Sequence, residues 1–113
     1  MSKTVNYIPN RGDIIFTDFD PAAGKEQNLN RPALVLSPKA FNQKIELAMV
    51  APITSTVRGH GFEVKLEGIE TNGAVLCHQA KVIDYKTRGC RFLEKAPDQI
   101  TIDALAKVRL LVS

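Results

Sequence analysis

Short apolar runs, cut at close and even intervals by turn residues, limit most narrowly what this chain can build. "DIIFTDFD" stops at Pro21, "PALVLSP" has a proline at each end, and "KIELAMVAPI" runs into a hydroxyl-rich stretch. "GFEVKLE" opens on a glycine and "NGAVLCHQAKVIDY" on Asn72-Gly73, a strong hairpin turn signal. Runs of this length suit strands better than helices. The rhythm therefore predicts five to seven short antiparallel strands, and a sheet that small tends to curl into a partly closed barrel.

Within the runs the patterns differ. In "GFEVKLE", Phe62, Val64 and Leu66 fall on one side and Glu63 and Lys65 on the other, so one face is buried and one wet. "DIIFTDFD", read as a strand from Asp13 to Asp20, has apolar residues in both registers and leaves its face open. Lys44 to Ile53 is the longest candidate and reads as the sheet centre, while "PKAFN" adds one helical turn. The tail changes period. Ile102, Leu105 and Val108 recur at helical spacing, with Leu111 or Val112 continuing the stripe. Pro97 suits a first turn, Asp98 complements the helix N-terminus, and Lys107 and Arg109 lie toward the C-terminus. The expected fold is mainly β (α+β): a small antiparallel barrel with a C-terminal helix on the sheet.

With 113 residues, the chain fits one domain spanning 1–113. A net charge of +3 permits a nucleic-acid partner without requiring one. No apolar run approaches the ~20 residues of a membrane span, and the N-terminus lacks a signal-peptide core. The expected compartment is cytoplasmic, with Cys77 and Cys90 reduced and acting as small buried hydrophobes. No phosphate loop, HExxH, CxxC or G-x-S-x-G occurs, and two histidines cannot make a three-histidine zinc site.

The chemistry must then lie in polar loops. The first runs from Glu26 to Arg31, where a permanent cation able to bind phosphate bidentately is held extended by Pro32. The second, "APITSTVRGHG", offers Thr54, Ser55, Thr56, Arg58 and His60, residue types that line phosphodiester backbones. The third, "CHQAK", places His78, Gln79 and Lys81 within a strand-like run. The fourth carries Lys86, Arg88 and Arg91, a charge cluster that reads first as a solvated face.

One block is more specific. "RGDIIFTDFDPAAGKEQNLNRPALVLSP" closely resembles the opening of the MazF/PemK-type toxins of bacterial toxin–antitoxin modules. The similarity continues through "VAPITS", "GFEV", "NGAVLCHQAKVID" and the terminal helix, from about Pro9 onward. The resemblance implies an SH3-like barrel, a homodimer, and an endoribonuclease that cuts single-stranded mRNA at short motifs without ribosome, metal or cofactor. It implies 2′,3′-cyclic phosphate and 5′-hydroxyl ends, and an antitoxin with an acidic disordered segment. Residue by residue, the family's catalytic arginine falls on Arg31, its threonine on Thr54 and its glutamate on Glu26. Where many members have Asp before a Gln, this chain has His78-Gln79, which leaves Glu26 and His78 as alternative proton acceptors. RNA contacts are expected from Lys25, Gln27, Asn28, Asn30, Ser55, Thr56, Arg58, His60, Gln79, Lys81 and Arg88. The gyrase poisons of similar fold rely on a C-terminal tryptophan. This chain has no Trp and ends "LLVS", which disfavours that reading. A catalytically idle RNA- or antitoxin-binding member is the other alternative.

Overall fold

The computed structural model describes residues 7–18 and 30–113. Seven strands form one antiparallel sheet: β1 (Asp13–Asp18), β2 (Asn30–Val35), β3 (Ala48–Thr54), β4 (Glu63–Lys65), β5 (Ala74–Leu76), β6 (Lys81–Ile83) and β7 (Cys90–Lys95). Their order is β4-β5-β3-β2-β1-β7, with β6 also on β3. The sheet curls, but β4 and β7 remain at opposite ends of that path, so the barrel is open. Helices are α1 (Lys39–Ile45), the single turn α2 (Tyr85–Arg88) and α3 (Asp98–Leu111).

Two apolar clusters lie on the two faces of this sheet. One gathers Ile14, Leu34, Ala51, Ile53, Val64 and Val75 beneath Ile100 and Ala104 of α3. The other gathers Ile15, Ala33, Val35, Val50 and Ile83 around Tyr85. The first half of β1 is therefore buried on both faces, which explains why "DIIFTDFD" shows no single apolar register. The strand ends at Asp18, and residues 19–20 lie outside the described residues.

Several expectations need correction. Lys44 and Ile45 belong to α1, not to the central strand. The helix runs two turns and is stopped by Glu46, which takes a left-handed φ of 61° and donates its N–H to the Asn42 carbonyl. Asn42 is fully buried: its amide donates to the Pro9 and Ser37 carbonyls and its Oδ1 accepts the Ser37 hydroxyl. The Tyr85 hydroxyl donates to its carbonyl at 2.9 Å. These bonds fix a helix where composition suggests a strand. Asn72-Gly73 does not make a two-residue hairpin but closes a longer loop after β4. In α3, Ile102 is 56% exposed and Leu111 and Val112 also face out, so the buried stripe is Ile100, Ala104, Leu105 and Val108.

The run from Cys77 to Gln79 is not strand but a 3-10 turn between β5 and β6. Both of those strands pair with β3, and the register slips by three residues across the turn. The turn is thus an outward bulge in what is otherwise one continuous partner of β3. Cys77 points into the core, while His78 and Gln79 are expelled from it. Burial pushes both thiols up to about 11, so Cys77 and Cys90 stay protonated and unreactive.

Candidate active site

A proline opens the groove. β2 and β3 pair at Ala33↔Pro52, Leu34↔Ala51 and Val35↔Val50, and no further. The Leu36 N–H donates to the Met49 carbonyl, and bonded positions alternate along an antiparallel pair, so after Leu34 the next donor toward β3 would be Pro32, which has no N–H to give. Pro32 therefore sits inside β2 rather than at its boundary. Two residues beyond the last pair, the same register sets Arg31 opposite Thr54. Arg31 is anchored by its pairing with Thr17 of β1, and Thr54 by its pairing with Ala74 of β5.

Arg31 and Thr54 together line two adjoining clefts of about 320 Å3 each. One continues along Thr56, Arg58, His60, Glu63, Leu76, His78 and Gln79. The other runs along Asn30, Pro32, Ile53, Ser55 and Asn72. The arginine and the threonine thus stand at the centre of a groove, with hydroxyls and cations along its length. The Thr54 hydroxyl accepts the Thr56 N–H at 3.1 Å, which leaves its own proton free to donate into the groove. Another cleft, about 680 Å3 between α3 and β4, lies away from both residues.

Behind Thr54 the wall is unusually close. Gly73 has a φ of +119°, and a Cβ there would overlap the Thr54 carbonyl. The loop bearing Asn72 and Gly73 is tied down by Glu94, which accepts the Thr71 hydroxyl at 2.5 Å, the Thr71 N–H at 2.7 Å and the Glu70 N–H at 3.2 Å. These bonds hold the Glu94 carboxyl below its ordinary range, the Thr71 hydroxyl contributing most. On the opposite side, His60 and His78 meet edge to face with centroids 4.9 Å apart, and Phe62 lies 6.4 Å from His78. His78 Nε2 is 3.5 Å from the Gln79 amide nitrogen.

Of the residues singled out from sequence, Asn30, Arg31, Thr54, Ser55, Thr56, Arg58, His60, His78 and Gln79 converge on this groove. Lys81 and Arg88 line neither cleft. Lys81 pairs with Val50 across β6 and β3, and Arg88 Nη1 donates to the Asp18 carbonyl at 3.2 Å. The remaining basic cluster is dispersed: Lys86 pairs with Glu46 and Arg91 stacks on Phe16. Lys25, Glu26, Gln27 and Asn28 lie outside the described residues. Among the described residues no three His, Cys, Asp or Glu side chains come together as a metal set. The sequence reading missed Glu63, Asn72 and Gly73. Alternation made Glu63 a wet-face residue and Asn-Gly a hairpin turn. A carboxylate following a glycine-flanked loop with free N–H groups was the available signal for the first.

A guanidinium and a free hydroxyl donor lining the same open groove can hold an anionic tetrahedral group and stabilise charge that develops on it. Fold and site together define a small open β-barrel with an arginine- and hydroxyl-lined groove. The chain belongs to the family of PemK-like, MazF-like toxins of type II toxin-antitoxin systems, whose model matches residues 10–112. Among its relatives is the endoribonuclease toxin MazF of Escherichia coli strain K12, 39% identical over 107 residues, covering 94% of this chain and 96% of that protein. The endoribonuclease PemK of Escherichia coli is 40% identical over 108 residues, covering 91% and 81%. Of solved structures, MazF of Deinococcus radiodurans matches with a TM-score of 0.86 at 35% identity, over 95% of this chain and 98% of that one. A MazE-MazF structure from the same organism matches at 0.87 and 35%, over 95% and 97%.

Proposed function

We propose that this chain is an endoribonuclease toxin that cleaves single-stranded mRNA at short sequences, independently of ribosomes, metal or cofactor. It acts by attack of the 2′-hydroxyl on the adjacent phosphorus, leaving 2′,3′-cyclic phosphate and 5′-hydroxyl ends. The observation that carries this reading is Arg31 opposite Thr54 at the head of the opened β2–β3 ladder, where both clefts meet. The reaction needs charge stabilised on a phosphorane, one proton removed and one delivered to the leaving 5′-oxygen. Arg31 supplies the charge and delivers the proton to the leaving 5′-oxygen, which it also orients. Thr54 donates its free hydroxyl proton to a phosphate oxygen. Glu26 or His78 accepts the proton of the 2′-hydroxyl, His78 being held at the groove by the 3-10 turn. Asn30, Ser55, Thr56, Arg58, His60 and Gln79 follow the strand on either side, with Lys25, Gln27 and Asn28 contributing from the preceding loop.

The active species is a homodimer in the cytoplasm, formed by one domain per chain. Exposed apolar residues of α3, among them Leu110 and Leu111, support an assembly that covers them. A cognate antitoxin with an acidic disordered segment competes with RNA for the basic groove, which inhibits by occupancy alone. Structures of MazE-MazF, in which the toxin is similar to this chain, support such a partner.

The test is incubation of the purified protein with a long RNA in EDTA, followed by mapping of the ends. Cleavage that survives EDTA and yields 5′-hydroxyl ends is expected; cleavage that requires added metal would overturn the scheme. Arg31→Ala should lower kcat by about 10²-fold or more, the cost of losing one preorganised charge donor, with the melting temperature unchanged. A variant that cuts at the wild-type rate would sink the role given to Arg31.

A further inference from the structure

Glu63 is a carboxylate in a groove built for a polyanion, and the cleavage scheme gives it no task. Its side chain is only 4% exposed, although the loop it touches is open to solvent. Both oxygens are occupied. Oε1 accepts the Gly59 N–H at 2.7 Å and the Arg58 N–H at 3.1 Å, and Oε2 lies 3.1 Å from that same Arg58 nitrogen. Oε2 is also 3.5 Å from His60 Nε2. His60 Nδ1 accepts the Phe62 N–H at 3.2 Å, so the neutral ring carries its proton on Nε2, toward Glu63. That ring in turn packs edge-on against His78. The Glu63 backbone pairs with Leu76, one residue before the 3-10 turn.

One carboxylate thus ties the segment 58–60 to the same strand pair that carries His78. The segment needs a tie, because Gly59 and Gly61 flank His60 and leave the chain many conformations. We propose that Glu63 is a positioning residue that holds Arg58 and His60 in the shape that receives RNA; this rests on the ribonuclease reading above. The ordering entropy of the loop is then lost on folding rather than on binding. The negative charge is spent on backbone donors, so it repels the approaching phosphates less than a free carboxylate would. Those donors, the Gly59 N–H first, also hold the Glu63 carboxyl below its ordinary range, which suits a clamp and not a proton acceptor.

The test compares wild type, Glu63→Gln, Glu63→Asp, Arg58→Ala and the Glu63→Gln/Arg58→Ala double variant. A glutamine turns an NH2 toward N–H donors and keeps one acceptor. Without RNA, amide hydrogen exchange at Arg58 and Gly59 should quicken about tenfold in Glu63→Gln, while β3 amides keep their rates. With a single-stranded RNA substrate, KM should rise about tenfold and kcat stay within about threefold. That rise should shrink in the Arg58→Ala background, where only the His60 part of the loop is left to misplace, and Glu63→Asp should fall between wild type and Gln in both measurements. Unchanged exchange would refute the clamp. A fall in kcat at constant KM would place Glu63 on the reacting atoms instead, and additive effects with Arg58→Ala would break the link to that segment. Should Glu63→Gln not fold, Glu63→Asp decides alone, since wild-type exchange and KM in it count against the proposal. A wild type that cleaves no RNA would strike the ribonuclease reading and leave the exchange result standing.

Discussion

At Gly73 the chain needs the absence of a side chain. Its φ of +119° and the Thr54 carbonyl pressed against its Cα leave no room for a Cβ. Gly73→Ala should push Thr54 away from Arg31 and lower stability by about 2 kcal/mol, the strain and the clash acting together. Cleavage should fall more steeply than stability, because a displacement of ~1 Å at a reacting group can cost ~10²-fold in rate. Chemical denaturation and single-turnover cleavage measure the two effects separately. That Arg31 and Thr54 would line one groove could be read from the motifs "NRPALV" and "APITS" that carry them. Glu63 and Gly73 were not legible in this way, since each serves the site through backbone atoms of another segment, and such partners have no signature in local spacing.

Among the elements, α1 shows where composition misleads. "KIELAMVAPI" is one apolar run, yet the chain stops a helix at Glu46 and starts a strand at Ala48. What divides the run is the buried Asn42, whose amide and carbonyls join Pro9, Ser37 and Tyr85. Asn42→Ala leaves the Ser37 hydroxyl and two buried carbonyls without their partner and should cost about 2–4 kcal/mol in urea unfolding. The groove is expected to survive in the folded fraction, because β2 keeps Pro32. The β4–β5–β6 region was misread for a related reason. Seen along the sequence, residues 74–83 form one strand, and only the pairing with β3 reveals the three-residue slip.

For the molecule as a whole, acid should loosen the groove before it melts the barrel. Glu63 and Glu94 clamp loops on its two sides and Asp84 caps α2, where the Thr87 N–H is the main cause of its lowered pKa. A carboxyl whose folded pKa is depressed stabilises the fold fully above its unfolded value and loses that contribution as pH falls through the folded value. Stability should therefore be flat near neutrality and decline below the ordinary carboxylate range. The Glu63→Gln/Glu94→Gln double variant should show a shallower decline, read as melting temperature against pH. Salt acts on the other charge. Arg58→Ala should reduce the slope of log affinity for single-stranded RNA against log salt by about 0.7, the share of one phosphate contact.

The 3-10 bulge has a consequence for how such a barrel can diversify. Pairing with β3 is complete before Cys77 and resumes at Lys81, so the two cores are in register whatever stands at positions 78 and 79. Positions 78 and 79 can vary without disturbing the strand pairing, which is written on other positions. Replacing that pair should alter RNA cleavage, in rate or in sequence preference, while the melting temperature stays put. Selection could thus retune the nuclease one dipeptide at a time without renegotiating the fold.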